Sequence, residues 1–116
     1  MGKTLIGSIL GQQLSAVCFV RDYIELHFDG PFIQLLGPVT VLGGGITISD
    51  NMPGFKDEIC EFIGITLGSL ELEIPNQLTM VFENKGSVRV SARGVKYEFA
   101  ILISSPDGDT QVWQTE

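Results

Sequence analysis

Leu70-Glu71-Leu72-Glu73-Ile74-Pro75-Asn76-Gln77-Leu78-Thr79-Met80-Val81-Phe82-Glu83-Asn84-Lys85-Gly86-Ser87-Val88-Arg89-Val90-Ser91-Ala92 decides the fold. Apolar residues recur at every second position: Leu70, Leu72 and Ile74, then Leu78, Met80 and Phe82, then Val88, Val90 and Ala92. In an extended chain side chains alternate between two faces, so each run has one apolar and one polar side. Pro75-Asn76 and Asn84-Lys85-Gly86 are turn sequences. Connections this short can only join antiparallel neighbours. The stretch therefore predicts a three-stranded antiparallel meander.

The same period extends outward. Ile24, Leu26 and Phe28 oppose Tyr23, Glu25 and His27, and Ser15 to Val20 precedes them as a strand. Phe99 to Ile103 is a further apolar strand, Pro106-Asp107-Gly108-Asp109 a turn, and Gln111-Val112-Trp113 a last short strand. Phe32 to Leu36, Val39 to Leu42 and Ile46 to Ile48 read as short strands, broken at Gly37-Pro38 and Gly43-Gly44-Gly45. Two segments have a helical period instead. Leu5, Ile6, Ile9 and Leu10 share one helical face before Gly11, and Phe55, Ile59, Phe62 and Ile63 do so before Gly64. A glycine in each case stands where a helix ends. Pro53-Gly54 suits a helix entry, with Lys56, Asp57, Glu58 and Glu61 on the polar face. The predicted class is α+β, antiparallel sheet with two short helices.

The chain also resembles itself. Leu10-Gly11-Gln12-Gln13-Leu14 leads into a strand, a turn and a second strand ending at Phe28, before a turn closed by Gly30. Ile63-Gly64-Ile65-Thr66-Leu67 leads into the same order, with the second strand ending at Phe82 and the turn at Gly86. The expectation is a single domain over 1–116 built from two helix-hairpin halves, 3–42 and 54–104.

The 116 residues suit one hydrophobic core. Hydrophobic residues make up 44% and charged residues 18%, an apolar balance for a chain with so much surface relative to volume. Some apolar surface should remain exposed in a monomer, and a second copy of the chain is the simplest cover, so a homodimer is expected. A net charge of −7 argues against nucleic acid, which is bound by neutralising phosphates, and against an anionic membrane surface. It suits solubility or a basic protein partner, and most acidic domains are merely soluble. No run approaches the roughly 18 apolar residues of a membrane span. Gln12 and Gln13 interrupt the N-terminal apolar run, which weakens an export signal. Cys18 and Cys60 sit among apolar neighbours without a CxxC pair and read as buried free thiols in a cytoplasmic protein.

Candidate chemistry is sparse. His27, the single histidine, stands between Glu25 and Asp29 on a polar strand face, where a carboxylate could orient it as a general base. No nucleophile turn accompanies it, and one histidine with scattered carboxylates is a weak start for a metal site. Gly43-Gly44-Gly45 is followed by Ile46-Thr47-Ile48, a strand pattern, and lacks a Gly-Lys-Ser/Thr ending, so it reads as a turn rather than a phosphate loop. No catalytic, cofactor-binding or metal residue is assigned and no cofactor is expected. Acids dominate from Asp50 to Glu83, and Lys85, Arg89, Arg93 and Lys96 follow with no acid among them. Arg89 and Arg93 share one strand face, near the Glu71 and Glu73 stripe if the strands meander, so the two stripes can pair across strands. Trp113 fills a core edge or an interface. His27, Arg89, Arg93 and Trp113 are the candidate interaction residues.

Asp22-Tyr23-Ile24-Glu25-Leu26-His27-Phe28-Asp29-Gly30, after the Gly-x-x-Leu pattern, resembles small bacterial β-rich domains of unknown function, some of them related to toxin-immunity proteins. The resemblance implies a cytoplasmic, acidic, non-enzymatic binding protein and supplies no site residues. The expected function is a non-catalytic protein-interaction domain, immunity-like or regulatory. The alternative is a small-ligand-binding domain with an apolar pocket between sheet and helices, lined by Phe19, Phe28, Phe55 and Phe82, with His27 as a further candidate.

Overall fold

The computed structural model describes residues 9–73, 77–92, 98–104 and 109–114. Ten strands and one helix follow in chain order: β1 (Ala16–Val20), β2 (Tyr23–His27), β3 (Phe32–Leu35), β4 (Val39–Gly43), β5 (Ile46–Ser49), α1 (Phe55–Cys60), β6 (Leu67–Glu73), β7 (Gln77–Phe82), β8 (Gly86–Ser91), β9 (Glu98–Ser104) and β10 (Asp109–Gln114). Every pairing is antiparallel. The meander expected over residues 70–92 is β6-β7-β8.

The α+β expectation is overturned. Among the described residues the chain is essentially all-β, with a single helix of six residues. The helical period over Phe55 to Ile63 is real only for its first half. Phe55, Ile59 and Phe62 are buried, but the helix stops at Cys60 and Ile63 is 43% exposed. Gly54 and Gly64, both at positive φ, bracket residues 55–63, and the helix takes only the six from Phe55 to Cys60. Around Ile9 the chain turns, Ile9 buried and Leu10 exposed, with the Gln12 amide donating to the Ile9 carbonyl at 3.0 Å. Leu5 and Ile6, the start of the other expected helix, lie outside the described residues. Periodic burial can be met by a turn as well as by a helix, and here turns meet most of it.

The strands form two five-stranded sheets, β1-β2-β3-β9-β10 and β5-β4-β8-β7-β6. Advancing each strand of the first sheet by five converts it into the second, so the two halves of the chain are topologically equivalent. Each half lays three strands in one sheet and crosses over to add a hairpin to the other. Backbone hydrogen bonds show the same reciprocity. Gly11 N–H donates to Leu67 O (2.9 Å) and Gly64 N–H to Leu14 O (2.7 Å); Leu14 N–H donates to Ile65 O (3.0 Å) and Leu67 N–H to Gln12 O (2.9 Å). Gln13 and Thr66 form a bridge between these two segments. The repeating unit is thus a five-strand half whose partner completes its sheets. That arrangement makes one core out of two halves.

Leu26, Ile33, Leu35 and Ala100 from the first sheet meet Val39, Val41, Leu78, Met80, Val88 and Val90 from the second in one buried cluster. Phe55, Ile59 and Phe62 close it. The crossover from β3 to β4 is pinned by Asp50, whose amide donates to Val39 O (2.9 Å) while its Oδ2 accepts from Val39 N (3.0 Å). Asp50→Ala removes the acceptor of the first amide of β4, next to a buried side chain. A loss of about 1 kcal/mol is expected in urea unfolding, with Asp50→Asn retaining most of it through its amide oxygen.

Gly43-Gly44-Gly45 has a structural role in place of phosphate binding. Gly44 (φ 57°) and Gly45 (φ 80°) are the two central residues of the β4-β5 hairpin, which requires positive φ at both.

Candidate functional site

The two outer sheet faces differ in kind. On the second sheet the register aligns Glu71, Thr79, Arg89 and Thr40 across β6, β7, β8 and β4, with Ser49 beyond on β5. Arg89 Nε donates to Thr79 Oγ1 over a long 3.4 Å, and Thr79 intervenes between Arg89 and Glu71. The expected cross-strand pairing of the acidic and basic stripes is therefore interrupted by one strand. Arg93 lies outside the described residues.

On the first sheet the corresponding row is Cys18, Glu25 and Gln34, directly opposite one another on β1, β2 and β3. The two-residue turn Arg21-Asp22 sets this register, since it pairs Val20 with Tyr23 and hence Cys18 with Glu25. His27, two residues along β2, falls on the same face beside Phe32. Its ring stacks on that of Phe32 with centroids 4.7 Å apart and planes 9° from parallel. His27 Nε2 lies 2.9 Å from Glu25 Oε1, and Gln34 Nε2 donates to Glu25 Oε2 at 3.1 Å. Donor atoms of Cys18, Glu25 and His27 all fall within 4.8 Å of one another. All three residues are half-buried, and Cys18 is a free thiol.

Burial pushes the Glu25 carboxyl up, but hydrogen bonds from His27, Gln34 and Tyr23 and the charge of His27 together hold it below its ordinary range. The group is thus a carboxylate at neutral pH, aimed at the imidazole by Gln34. Of the two acids flanking His27, Glu25 is the one that meets it; the Asp29 amide instead donates to Gln12 Oε1 at 2.9 Å. No family model, curated protein or solved structure matches this chain.

Of the interaction candidates, His27 and Arg89 are described with their side chains, and these two do not share a site. His27 and Arg89 occupy the outer faces of different sheets. Trp113 is placed by its backbone, opposite Ala100 on β9. Cys18, Phe32 and Gln34 were not among the candidates, although the turn at Arg21-Asp22 carries enough information to set Cys18 against Glu25. The thiols expected to be buried are both half-buried.

Two of the clefts beside the helix are lined by aromatic and charged residues together. One, of about 440 Å³, lies between the β1-β2 hairpin, β4 and α1, and includes Phe19, Tyr23, Phe55, Arg21 and Lys56. The other, of about 400 Å³, includes Ile46, Ile48, Glu58, Glu61 and Lys85. The pocket lining proposed from sequence is only half realised: Phe19 and Phe55 reach the first cleft, whereas Phe28 and Phe82 stack on each other in the core, and His27 points to the outer face of the first sheet. Among the described residues no helix is long and apolar enough to cross a membrane.

Proposed function

We propose that this protein is a non-catalytic interaction domain that self-associates through the edge strand β1. The observation that carries the reading is how differently the sheet edges are defended. A free edge offers unpaired backbone groups to any other strand, and proteins blunt such edges with charges, bulges or short length. β6 has Glu71 and a register shift between Leu67 and Ser69; β10 has a shift between Trp113 and Gln114; β5 is four residues long. β1 is Ala16-Val17-Cys18-Phe19-Val20, five residues with no charge, proline or register shift. Phe19 and Val20 are 38% and 41% exposed.

A second copy is the occupant that fits. Antiparallel pairing of a strand with itself about a twofold axis is self-complementary, and it adds a strand to each sheet by backbone hydrogen bonds alone. The chain has a net charge of −7, yet β1 itself contributes none of it, and the cation beside it, Lys56, lies over the Phe19 ring at 5.3 Å. The Cys18-Glu25-His27 cluster lies on the outer face of the first sheet, outside the two clefts beside the helix, and this reading gives it no catalytic part.

Size-exclusion chromatography with light scattering tests this. The full chain is expected to run as a dimer and Val20→Lys as a monomer, because a lysine on an edge strand opposes pairing. Val20 is exposed, so the variant's unfolding free energy should stay within about 0.5 kcal/mol of the parent. A parent chain that stays monomeric at high concentration refutes the reading.

A further inference from the structure

We propose that Cys18, Glu25 and His27 form a binding site for a divalent transition-metal ion of the zinc class. Their donor atoms, a thiol sulfur, a carboxylate oxygen and an imidazole nitrogen, converge within 4.8 Å. Zinc bonds of about 2.0–2.3 Å in a tetrahedron put donors roughly 3–4 Å apart. Side-chain rotation of about an ångström closes that difference, with the backbone left in place. A thiolate with an imidazole selects zinc-like ions over magnesium or calcium, which prefer oxygen. Three protein donors leave a fourth position for water.

The framework around the donors is what turns proximity into a site. Cys18 and Glu25 are direct cross-strand partners, and His27 follows Glu25 on the same face of the same hairpin, so the sheet ladder holds all three positions. Gln34 occupies Glu25 Oε2 and leaves Oε1 turned to His27. Phe32 fixes the plane of the imidazole by stacking. Such outer contacts orient ligands in metal sites. On binding, the ion takes the place of the proton shared by Glu25 Oε1 and His27 Nε2, and the Cys18 thiol releases its proton to solvent. The site is built within one chain, so it does not depend on pairing at β1.

Titrating the reduced full-length chain with Co²⁺ gives a direct readout, because cobalt bound to thiolate shows a charge-transfer absorption that other ligation lacks. The wild type is expected to saturate with one ion per chain and to be protected against thermal unfolding by Zn²⁺. Cys18→Ser should abolish the band and His27→Ala should abolish saturation, while Cys60→Ser keeps both. Gln34→Leu should weaken binding about 10–100-fold as a positioning residue. Circular dichroism of each metal-free variant verifies that it is folded. Val20→Lys should bind as the parent does, which separates metal binding from self-association; loss of binding there would overturn a single-chain site. No charge-transfer band in the wild type, or one that survives Cys18→Ser, would overturn the proposal.

Discussion

Gly86→Ala is expected to lose about 3 kcal/mol or more of folding free energy, a large fraction of the stability of a small domain. Gly86 opens β8 opposite Phe82, at a φ of 150° that residues with a side chain rarely adopt. The conformation alone costs an alanine about 1–3 kcal/mol. The steric problem is worse. A Cβ built on Gly86 would sit 2.1 Å from the Leu42 carbonyl oxygen and 2.9 Å from the Gly43 Cα. Both obstacles are backbone atoms at the end of β4, so no rotamer change can relieve the clash. Gly43 meets the same crowding from the other side, its notional Cβ 2.7 Å from the Lys85 carbonyl. Two glycines facing each other let the end of β4 and the turn before β8 touch, and an alanine at Gly86 must prise them apart.

Gly44→Asn is the informative contrast. Gly44 also has positive φ, but its notional Cβ meets nothing within 4 Å, and asparagine tolerates the left-handed region. Urea unfolding followed by circular dichroism should leave Gly44→Asn within about 1 kcal/mol of the parent while Gly86→Ala falls far below it. Similar losses in both would mean that the cost is conformational and that the backbone approach carries no weight.

Strand order within the meander is legible in the sequence itself. The alternation of Leu70 to Ala92 was sufficient to place β6, β7 and β8, because each turn is too short to permit anything but an antiparallel return. The match of Leu10-Gly11-Gln12-Gln13-Leu14 to Ile63-Gly64-Ile65-Thr66-Leu67 was visible as well. Its physical meaning was not: the two segments pair with each other, and each half sends its last two strands into the other half's sheet. Local pattern has no term for which sheet a strand joins. The same blindness explains the end of α1. Phe62 is buried at helical spacing from Phe55 and Ile59, but the surrounding sheets demand only that it point inward, and the turn after Cys60 does that without hydrogen-bonded helix. The Cys18 row follows from sequence once the length of the Arg21-Asp22 turn sets the strand pairing, but the apolar neighbours Val17 and Phe19 give Cys18 the pattern of a core residue.

Phe82→Ala is expected to cost about 3–5 kcal/mol, because it empties the place where the two halves meet. Phe82 is 1% exposed at the end of β7, and Phe28 follows β2, the topological counterpart of β7. Their rings lie 6.4 Å apart and 6° from parallel, and Phe62 approaches Phe82 edge-on at 5.2 Å and 74°. Alanine would remove both aromatic contacts and leave a cavity bounded by residues from both sheets and from the segment after α1. None of those elements can collapse into it without disturbing the reciprocal bonds at Gly11, Leu14, Gly64 and Leu67. Phe82→Leu, which retains most of the volume, should lose clearly less in the same unfolding experiment. If Phe82→Ala instead lost no more than a surface substitution, the halves would have to be joined mainly by their exchanged hairpins, and the aromatic contact would be incidental to the fold.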